Sequence, residues 1–128
     1  MSFWKNIFGD QRFKKRKSKS KKHEEAIEST ETVSGVYKFK EKNRTYIGQS
    51  EDIAERLNQH LDDEKLEDEN IDTVEIKEVE GDKLDREIEE QKEIDEYGVL
   101  PNQELSNKRN SMSKKRKEKF KKNLRNDE

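Results

Sequence analysis

Two tyrosines and an arginine in the first half of the chain have types and a spacing that suit phosphate chemistry. Tyr37 lies in the triplet GVY, Tyr46 lies in the triplet YIG, and Arg56 follows ten residues later. Tyrosines on two adjacent antiparallel strands can project from the same face of a sheet, depending on the strand register, and can then share one phosphate. The planar guanidinium of Arg56 suits bidentate phosphate binding. Hydrolysis of a phosphodiester also needs an activated water, a cation on the non-bridging oxygens and help for the leaving oxygen.

Each of these residues also has an ordinary structural interpretation. Tyrosine is common in strands, where it packs the sheet. Arg56 can form a salt bridge with Asp52 or with another of the many acids in the chain. The chemical interpretation therefore depends on the elements that would bring the three side chains together.

A hairpin and a helix are predicted around these residues. Strand-forming residues cluster at 36–40 and 44–47 on either side of the polar turn 41–43, which is typical of a hairpin. Ser50 is a good helix N-cap. Arg56 lies beside the apolar stripe of the helix that follows, so it can face the tyrosines. That stripe repeats every four residues, at Ile53, Leu57 and Leu61.

A third strand and a second helix are predicted further along the chain. Apolar and charged residues alternate within 73–79, as in a strand with one buried face. Asp82 can cap a helix that runs to Tyr97, with Gly98 as its C-terminal stop. The predicted buried stripe of this helix consists of Leu84, Ile88 and Ile94. The sequence thus predicts an α/β fold of order β-β-α-β-α, with a small three-stranded antiparallel sheet flanked by helices.

The charges divide the chain into three segments. Charged residues make up 47% of the chain and hydrophobic residues 26%, which is too few for a core along its whole length. Residues 1–22 carry a net charge of +8, residues 23–104 one of −17 and residues 105–128 one of +7. We therefore predict a folded domain over 32–104 between two disordered basic arms, 1–31 and 105–128.

Composition also excludes several classes of site. The chain contains no cysteine, so disulfides and thiolate metal sites are excluded within it. No apolar run approaches the roughly 20 residues of a membrane-spanning helix, and nothing resembles a secretory signal. We expect a cytoplasmic protein.

The first residues allow a further interpretation. Phe3, Trp4, Ile7 and Phe8 lie within one arc of a helical wheel, directly before a lysine-rich run. An amphipathic stretch beside a polybasic segment is typical of peripheral attachment to an anionic membrane, here through residues 3–22. The same side chains could instead dock on the domain or on a partner protein.

Taken together, GVY, YIG, Ser50, Arg56 and a later Glu and Asn resemble the GIY-YIG nuclease family over about residues 34–102. The resemblance implies a small three-stranded sheet flanked by helices. It also implies an endonuclease that hydrolyses DNA phosphodiesters with one divalent metal ion, Mg²⁺ or Mn²⁺.

The resemblance assigns roles to individual residues. Tyr37 would be the general base or the group that orients the attacking water, and Tyr46 would help to position it or the phosphate. Arg56 would bind the phosphate, and Asn102, after the proline, would hydrogen-bond the site or the phosphate. His60 is a candidate catalytic residue, although a buried structural histidine is an equal alternative.

The metal ligand is predicted within the second helix, where acids are dense. The family pattern fits Glu90, with Glu87 as the second choice. At 100° per residue, Glu89 and Glu93 point away from the predicted apolar stripe, toward water. A single carboxylate, completed by waters and substrate oxygens, suits Mg²⁺ rather than Zn²⁺.

Two alternatives to a freely diffusing nuclease stay open. The chain could keep the fold without catalysis and use its basic arms to bind nucleic acid or an anionic membrane. It could also be a nuclease tethered to a membrane through its first residues. In each case the basic arms offset the negative charge of the domain, which by itself repels DNA.

Overall fold

The computed structural model describes residues 4–98, which form two antiparallel sheets and two helices. The strands are β1 (Lys5–Asn6), β2 (Phe13–Lys17), β3 (Glu25–Ser29), β4 (Gly35–Glu41), β5 (Arg44–Ser50) and β6 (Glu75–Glu78), and the helices are α1 (Ile53–Asp62) and α2 (Lys83–Gly98). Short 3-10 helices span Ile7–Gly9 and Asp68–Thr73. The larger sheet has the order β1-β6-β4-β5, and β2 pairs with β3 in a separate hairpin.

The α/β class with an antiparallel sheet is confirmed, but the predicted number of strands is wrong. The sheet has four strands because the first residues add β1 to the edge of β6, where Lys5 pairs with Ile76. The opposite edge of the sheet is β5.

The sheet separates two layers of side chains. Tyr37 and Phe39 on β4 pack in one apolar cluster with the buried residues of α1. Val36 and Ile47 lie on the other face, where they pack with Ile94 of α2. This alternation follows from the two-residue period of a strand, which directs neighbouring side chains to opposite faces.

Helix α1 confirms its predicted stripe and begins two residues later than predicted. Its inward residues Ile53, Leu57 and Leu61 are buried. The N-cap is Asp52, whose carboxylate accepts a hydrogen bond from the backbone N–H of Glu55. The predicted cap, Ser50, instead closes the preceding turn by accepting a bond from the Asp52 N–H.

Helix α2 has the predicted position but not the predicted buried face. Leu84 is 43% exposed and Ile88 is only partly buried. The side chains that face inward are mostly polar, namely Arg86, Glu87, Glu90, Gln91, Glu93 and Ile94. The sheet offers them polar partners: Arg86 donates to Gln49 over 3.0 Å, and Lys77 bonds to Glu93 over 3.1 Å and to Glu89. The prediction that Glu89 and Glu93 point to water is therefore wrong.

The N-terminal segment is ordered from residue 4 onward, so the prediction of a disordered arm over 1–31 is wrong for this part. Four apolar side chains spread through it are buried: Ile7, Phe13, Ala26 and Ile27. The segment is lysine-rich, but its few apolar residues fall where they complete the core on the α1 side of the sheet. Net charge alone did not indicate this.

Polar contacts hold the β2–β3 hairpin against α1. Asn58 bonds to both backbone groups of Ile27, each over 2.9 Å. The carboxylate of Asp68 accepts bonds from the N–H groups of Glu24 and Glu25. His23 contacts Asp62, with its Nε2 2.7 Å from Oδ1. The hairpin is thus fixed at several points along β3.

The first residues dock on the domain. Ile7 is fully buried, Phe8 packs on the cluster that contains Tyr37, and Trp4 packs beside Val36 and donates its indole N–H to Glu93 over 3.1 Å. Of the alternatives for these side chains, the structure shows docking on the domain.

In the described segment, neither helix has the length and hydropathy to cross a bilayer. Phe3, the basic tail 105–128, the boundary at 104 and Asn102 lie outside the described residues.

Candidate active site

Tyr37 and Tyr46 project from the same face of the sheet. In the β4–β5 register, Tyr37 pairs with Gly48, and Tyr46 pairs with Phe39. The two tyrosine rings are diagonal neighbours with their centroids 6.3 Å apart. The register of the hairpin thus puts the two phenols side by side, as the chemical interpretation of the two tyrosines requires.

Gly48 provides the space in which the Tyr37 side chain lies. A Cβ atom added to Gly48 would be 2.5 Å from the Tyr37 hydroxyl oxygen and 2.6 Å from the ring carbon that carries it. The Tyr37 ring therefore extends directly over the backbone of β5 and carries its hydroxyl to the edge strand of the sheet.

His60 contacts the Tyr37 hydroxyl. The Nε2 atom lies 2.8 Å from the phenolic oxygen, and the two residues are only 3% and 1% exposed, respectively. Tyr37, Phe39 and Tyr46 surround the imidazole, with ring centroids 5.2–5.7 Å from it. Position 60, left open between a structural and a catalytic residue, thus touches the first predicted catalytic tyrosine.

The environment favours the neutral forms of all three groups. Burial raises the pKa of Tyr37, and the charges of neighbouring groups modify it, with Arg56 opposing the rise. The pKa of Tyr46 is also raised, first by burial and then by the negative charge of Glu90. Burial, assisted by the positive charges of Arg56 and Lys65, lowers the pKa of His60 to about 4. At neutral pH the site holds two phenols and a neutral imidazole.

The low pKa of His60 predicts a loss of stability in mild acid. The unfolded chain takes up this proton near the ordinary pKa of about 6.5, whereas the folded chain resists it until about pH 4. The contribution of neutral His60 to the free energy of unfolding is fully present above pH 6.5 and is lost as the pH falls toward 4. It amounts to about 3 kcal/mol, at 1.36 kcal/mol per pKa unit. Urea unfolding at pH 7, 5.5 and 4.5 measures it.

Carboxylates also titrate in this range, so a matched variant isolates the histidine. His60→Gln should be less stable than the wild type at pH 7, and the difference between the two proteins should shrink as the pH falls. A constant difference at all three pH values would contradict a depressed pKa for His60.

Arg56 lies on the flank of α1 next to His60. It is exposed, and its Nη1 donates a hydrogen bond to Gln59 over 2.8 Å. Arg56 lies one turn before His60, which contacts Tyr37, and its positive charge opposes the rise in the pKa of both Tyr37 and Tyr46. The alternative of a salt bridge to Asp52 is not what the structure shows, because the Asp52 carboxylate caps the helix. An exposed guanidinium near the buried Tyr37 and the half-buried Tyr46 is placed to meet an incoming anion.

Glu90 is the acid of α2 that acts on the two tyrosines. Its negative charge raises the pKa of both Tyr37 and Tyr46, and its side chain is 6% exposed. Glu87 is also buried, but it is not among the main causes of either shift. Helix α2 packs beside the edge strand β5, where Arg86 contacts Gln49. Helix α2 thus lies along the strand that carries Tyr46, and the charge of Glu90 reaches both phenols.

Comparison with known families identifies the domain that carries this site. Residues 33–123, well over half of the chain, match the family model of the GIY-YIG catalytic domain. The chain belongs to the GIY-YIG family. No curated protein and no solved structure matched it. Membership indicates a nuclease, with nucleic acid as its class of substrate.

Gly48, the last glycine of the GIY-YIG triplet YIG, has a role that the triplet alone does not reveal. Its role as the space for Tyr37 follows from the strand register. The directly opposed positions of Tyr37 and Gly48 could have been found by pairing the two strands around the turn at 41–43.

A second overlooked residue is Lys65. Its Nζ lies 4.2 Å from the centroid of the Tyr46 ring and 3.7 Å from a carboxylate oxygen of Glu41. It is the single lysine of the acidic run DDEKLEDEN. A lone positive charge in such an acidic run is the sequence feature that could have indicated Lys65. Its charge adds to the positive potential that opposes protonation of His60.

The donor groups of this GIY-YIG site fit a hard cation that needs few protein ligands. Among residues 4–98, no three His, Cys, Asp or Glu side chains cluster as a complete metal cage. Mg²⁺ commonly binds one or two carboxylates and takes its other ligands from water and substrate phosphates. Glu90, whose charge acts on both tyrosines, could supply such a single carboxylate.

Proposed function

We propose that the protein is a Mg²⁺-dependent DNA endonuclease that hydrolyses phosphodiester bonds at the β5 edge. The observation that carries the proposal is the placement of Tyr37 beside Tyr46 on one face of the sheet, with the Tyr37 hydroxyl in buried contact with His60. The charges of Arg56 and Glu90, which act on both phenols, support it. Family membership supports the nuclease class, and the donor set at Glu90 supports Mg²⁺, with Mn²⁺ as a substitute.

Tyr37 cannot act as a preformed phenolate. Burial raises its pKa, so the hydroxyl keeps its proton in the free protein at neutral pH. It can still orient a water and accept a proton from it if its own proton moves on. The neutral His60 lies 2.8 Å away and offers an acceptor nitrogen in the appropriate tautomer. The proposed route is thus from water to Tyr37 and from Tyr37 to His60.

Substrate binding would strengthen this route. Positive charges from Arg56 and Lys65 contribute to the low pKa of His60 in the free protein. A phosphate bound beside Arg56 introduces negative charge, which favours the protonated imidazole and raises its pKa. His60 would then be a better proton acceptor in the complex than in the free enzyme.

The other residues act on the phosphate. Arg56 binds its non-bridging oxygens and stabilises the charge that develops on them. Tyr46, half-buried next to Tyr37, positions the phosphate or the Tyr37 hydroxyl. Glu90 would hold the metal ion, which when bound supplies Lewis-acid stabilisation of the phosphoryl oxygens. Asn102 keeps its proposed role of hydrogen-bonding the site.

Nicking of supercoiled plasmid tests the proposal. The wild type should nick with Mg²⁺ and should stop when EDTA is added. Tyr37→Phe should lower the rate by roughly 10²–10⁴, the usual contribution of a positioned acid–base group. Tyr97→Phe is the matched control, because its hydroxyl bonds to Thr45 and its ring packs in the other cluster, with Val36.

Two outcomes would contradict the proposal. Equal rates for Tyr37→Phe and the wild type would remove Tyr37 from the chemistry. Salt-sensitive DNA binding without any Mg²⁺-dependent nicking by the wild type would favour the non-catalytic module instead.

A further inference from the structure

The β2–β3 hairpin is a concentrated positive region on an acidic protein. Residues 12–22, which form β2 and the start of the loop that follows, contain eight Lys or Arg residues and no acid. Residues 23–98 contain ten Lys or Arg residues against 26 acids. Apart from this hairpin, most of the described surface would repel a polyanion.

Most cations of the hairpin are not neutralised by the protein itself. Arg12 pairs with Asp10 and Glu78, and Lys15 pairs with Asp72. The remaining six are exposed and form no ion pair with an acid within residues 4–98: Lys14, Arg16, Lys17, Lys19, Lys21 and Lys22. By contrast, several cations elsewhere in the domain pair with acids, as Lys38, Lys65 and Lys77 do.

The hairpin presents these charges on a fixed backbone. Asn58 and Asp68 hold the inner strand, β3, through three bonds to its backbone and a fourth to the N–H of the preceding Glu24, and all five residues of β2 pair with β3. Lys14 and Arg16 are two positions apart on the outer strand, so both side chains leave the same face, about 7 Å apart along the strand. A preorganised row of this kind loses less conformational entropy on binding than a disordered arm does.

We infer that the outer strand and loop of this hairpin bind the phosphate backbone of duplex DNA, outside the active site. The inference rests on the proposed function for the choice of DNA as the polyanion. Arg56 and Asn58 are 200° apart around α1, so the active site and the hairpin lie on opposite flanks of that helix. The hairpin therefore contacts phosphates other than the one that is cut.

An anionic membrane fits the same surface less well. Stable membrane attachment usually adds buried apolar area to basic charge. The apolar side chains that precede the hairpin in the sequence, Trp4, Ile7 and Phe8, are packed within the domain. In the described part of the chain, the large apolar side chain that stands exposed is Leu84, on α2. The hairpin thus offers charge without an apolar anchor.

Salt-dependent binding of a labelled DNA duplex tests the inference. Anisotropy is measured with the full chain in EDTA, over 50–200 mM NaCl, so that no cleavage takes part. The variant carries Lys14→Gln, Arg16→Gln, Lys19→Gln and Lys21→Gln together. Each lost phosphate contact lowers the slope of log K against log salt by about 0.9, so the slope should decrease in magnitude by roughly 3–4.

A matched variant controls for net charge. Lys40, Lys42, Lys83 and Lys92 are exposed cations elsewhere in the domain, and replacing all four with Gln changes the net charge equally. For this control variant, the slope of log K against log salt should stay within about one unit of the wild-type slope. Circular dichroism of both variants checks that the fold is kept, and an unfolded hairpin variant is replaced by the Lys19→Gln and Lys21→Gln pair in the loop, with an expected change of about 2.

Three results would overturn the inference. An unchanged slope in the hairpin variant would show that these residues do not meet phosphates. Equal changes in both variants would show that only net charge matters. If the hairpin variant lost binding to phosphatidylserine–phosphatidylcholine vesicles but bound the duplex as the wild type does, the surface would be assigned to membranes. Because binding is measured in EDTA, a failure of the nuclease proposal would not alter these readings.

Discussion

Glu90→Gln and Glu90→Ala should each abolish Mg²⁺-dependent plasmid nicking. Glu90 is the acid of α2 whose charge acts on both Tyr37 and Tyr46, and it is the carboxylate proposed to hold the metal. The glutamine variant keeps the size and hydrogen-bonding shape of the side chain but removes its charge. Since the metal supplies several kcal/mol of charge stabilisation in such reactions, the residual rate should be indistinguishable from background.

Two neighbouring acids provide controls for this experiment. Glu87→Gln changes a buried acid on the same face of α2, and Glu89→Gln changes the one that bonds to Lys77. Both variants should keep most of the wild-type nicking rate, because Glu90, and neither of these acids, is among the main causes of the tyrosine pKa shifts. Loss of nicking in Glu87→Gln with activity retained in Glu90→Gln would transfer the ligand role to Glu87. A titration of the rate against Mg²⁺ distinguishes weakened metal binding from a general loss of activity.

The part of the site formed by the hairpin and α1 was predictable from local pattern. Two strand-forming runs around a polar turn fix an antiparallel register, and that register alone puts Tyr37 and Tyr46 on one face. The apolar residues Ile53 and Leu57 then orient α1, so the direction of Arg56 follows. These inferences use only neighbours in sequence, whose geometry is set by the periods of strand and helix.

The orientation of α2 was not predictable in the same way. An apolar stripe indicates a buried face only when the surface opposite it is also apolar. Here the sheet presents Lys77 and Gln49 to the helix, so Glu93 and Arg86 turn inward and Leu84 turns outward. The partners are distant in sequence, and nothing in the helix itself indicates them. The choice of Glu90 as the proposed ligand does not depend on the stripe, because it was made from the family pattern.

The ordered hairpin at the N-terminus was missed for a related reason. Average composition suggested disorder, since lysines outnumber apolar residues there. Burial of Phe13 and Ile27, together with the backbone bonds from Asn58, is sufficient to fix two short strands on α1. A few well-placed contacts outweigh a polar average when an existing helix supplies the surface.

Gly48→Ala should damage both the fold and the reaction. The new Cβ would lie 2.5 Å from the Tyr37 hydroxyl oxygen, closer than van der Waals contact allows. Tyr37 has little room to retreat, because it is 1% exposed, its ring stacks with Phe39 and its hydroxyl contacts His60. Overpacking of this kind costs about 1–3 kcal/mol of unfolding free energy. Displacing the hydroxyl by about 1 Å should lower the nicking rate by about 10²-fold.

Gly9→Ala is the matched control for this substitution, because no atom lies within 4 Å of a Cβ added there. Neither glycine has a left-handed backbone conformation, so both variants test space rather than backbone strain. Urea unfolding and plasmid nicking should therefore separate the two: Gly9→Ala stays near the wild type in both, and Gly48→Ala falls in both. Normal nicking by a stably folded Gly48→Ala protein would mean that the hydroxyl of Tyr37 is not used where the structure places it, over β5 and against His60. The proton route through Tyr37 would then have to be abandoned, whereas the metal ligand on α2 would be unaffected.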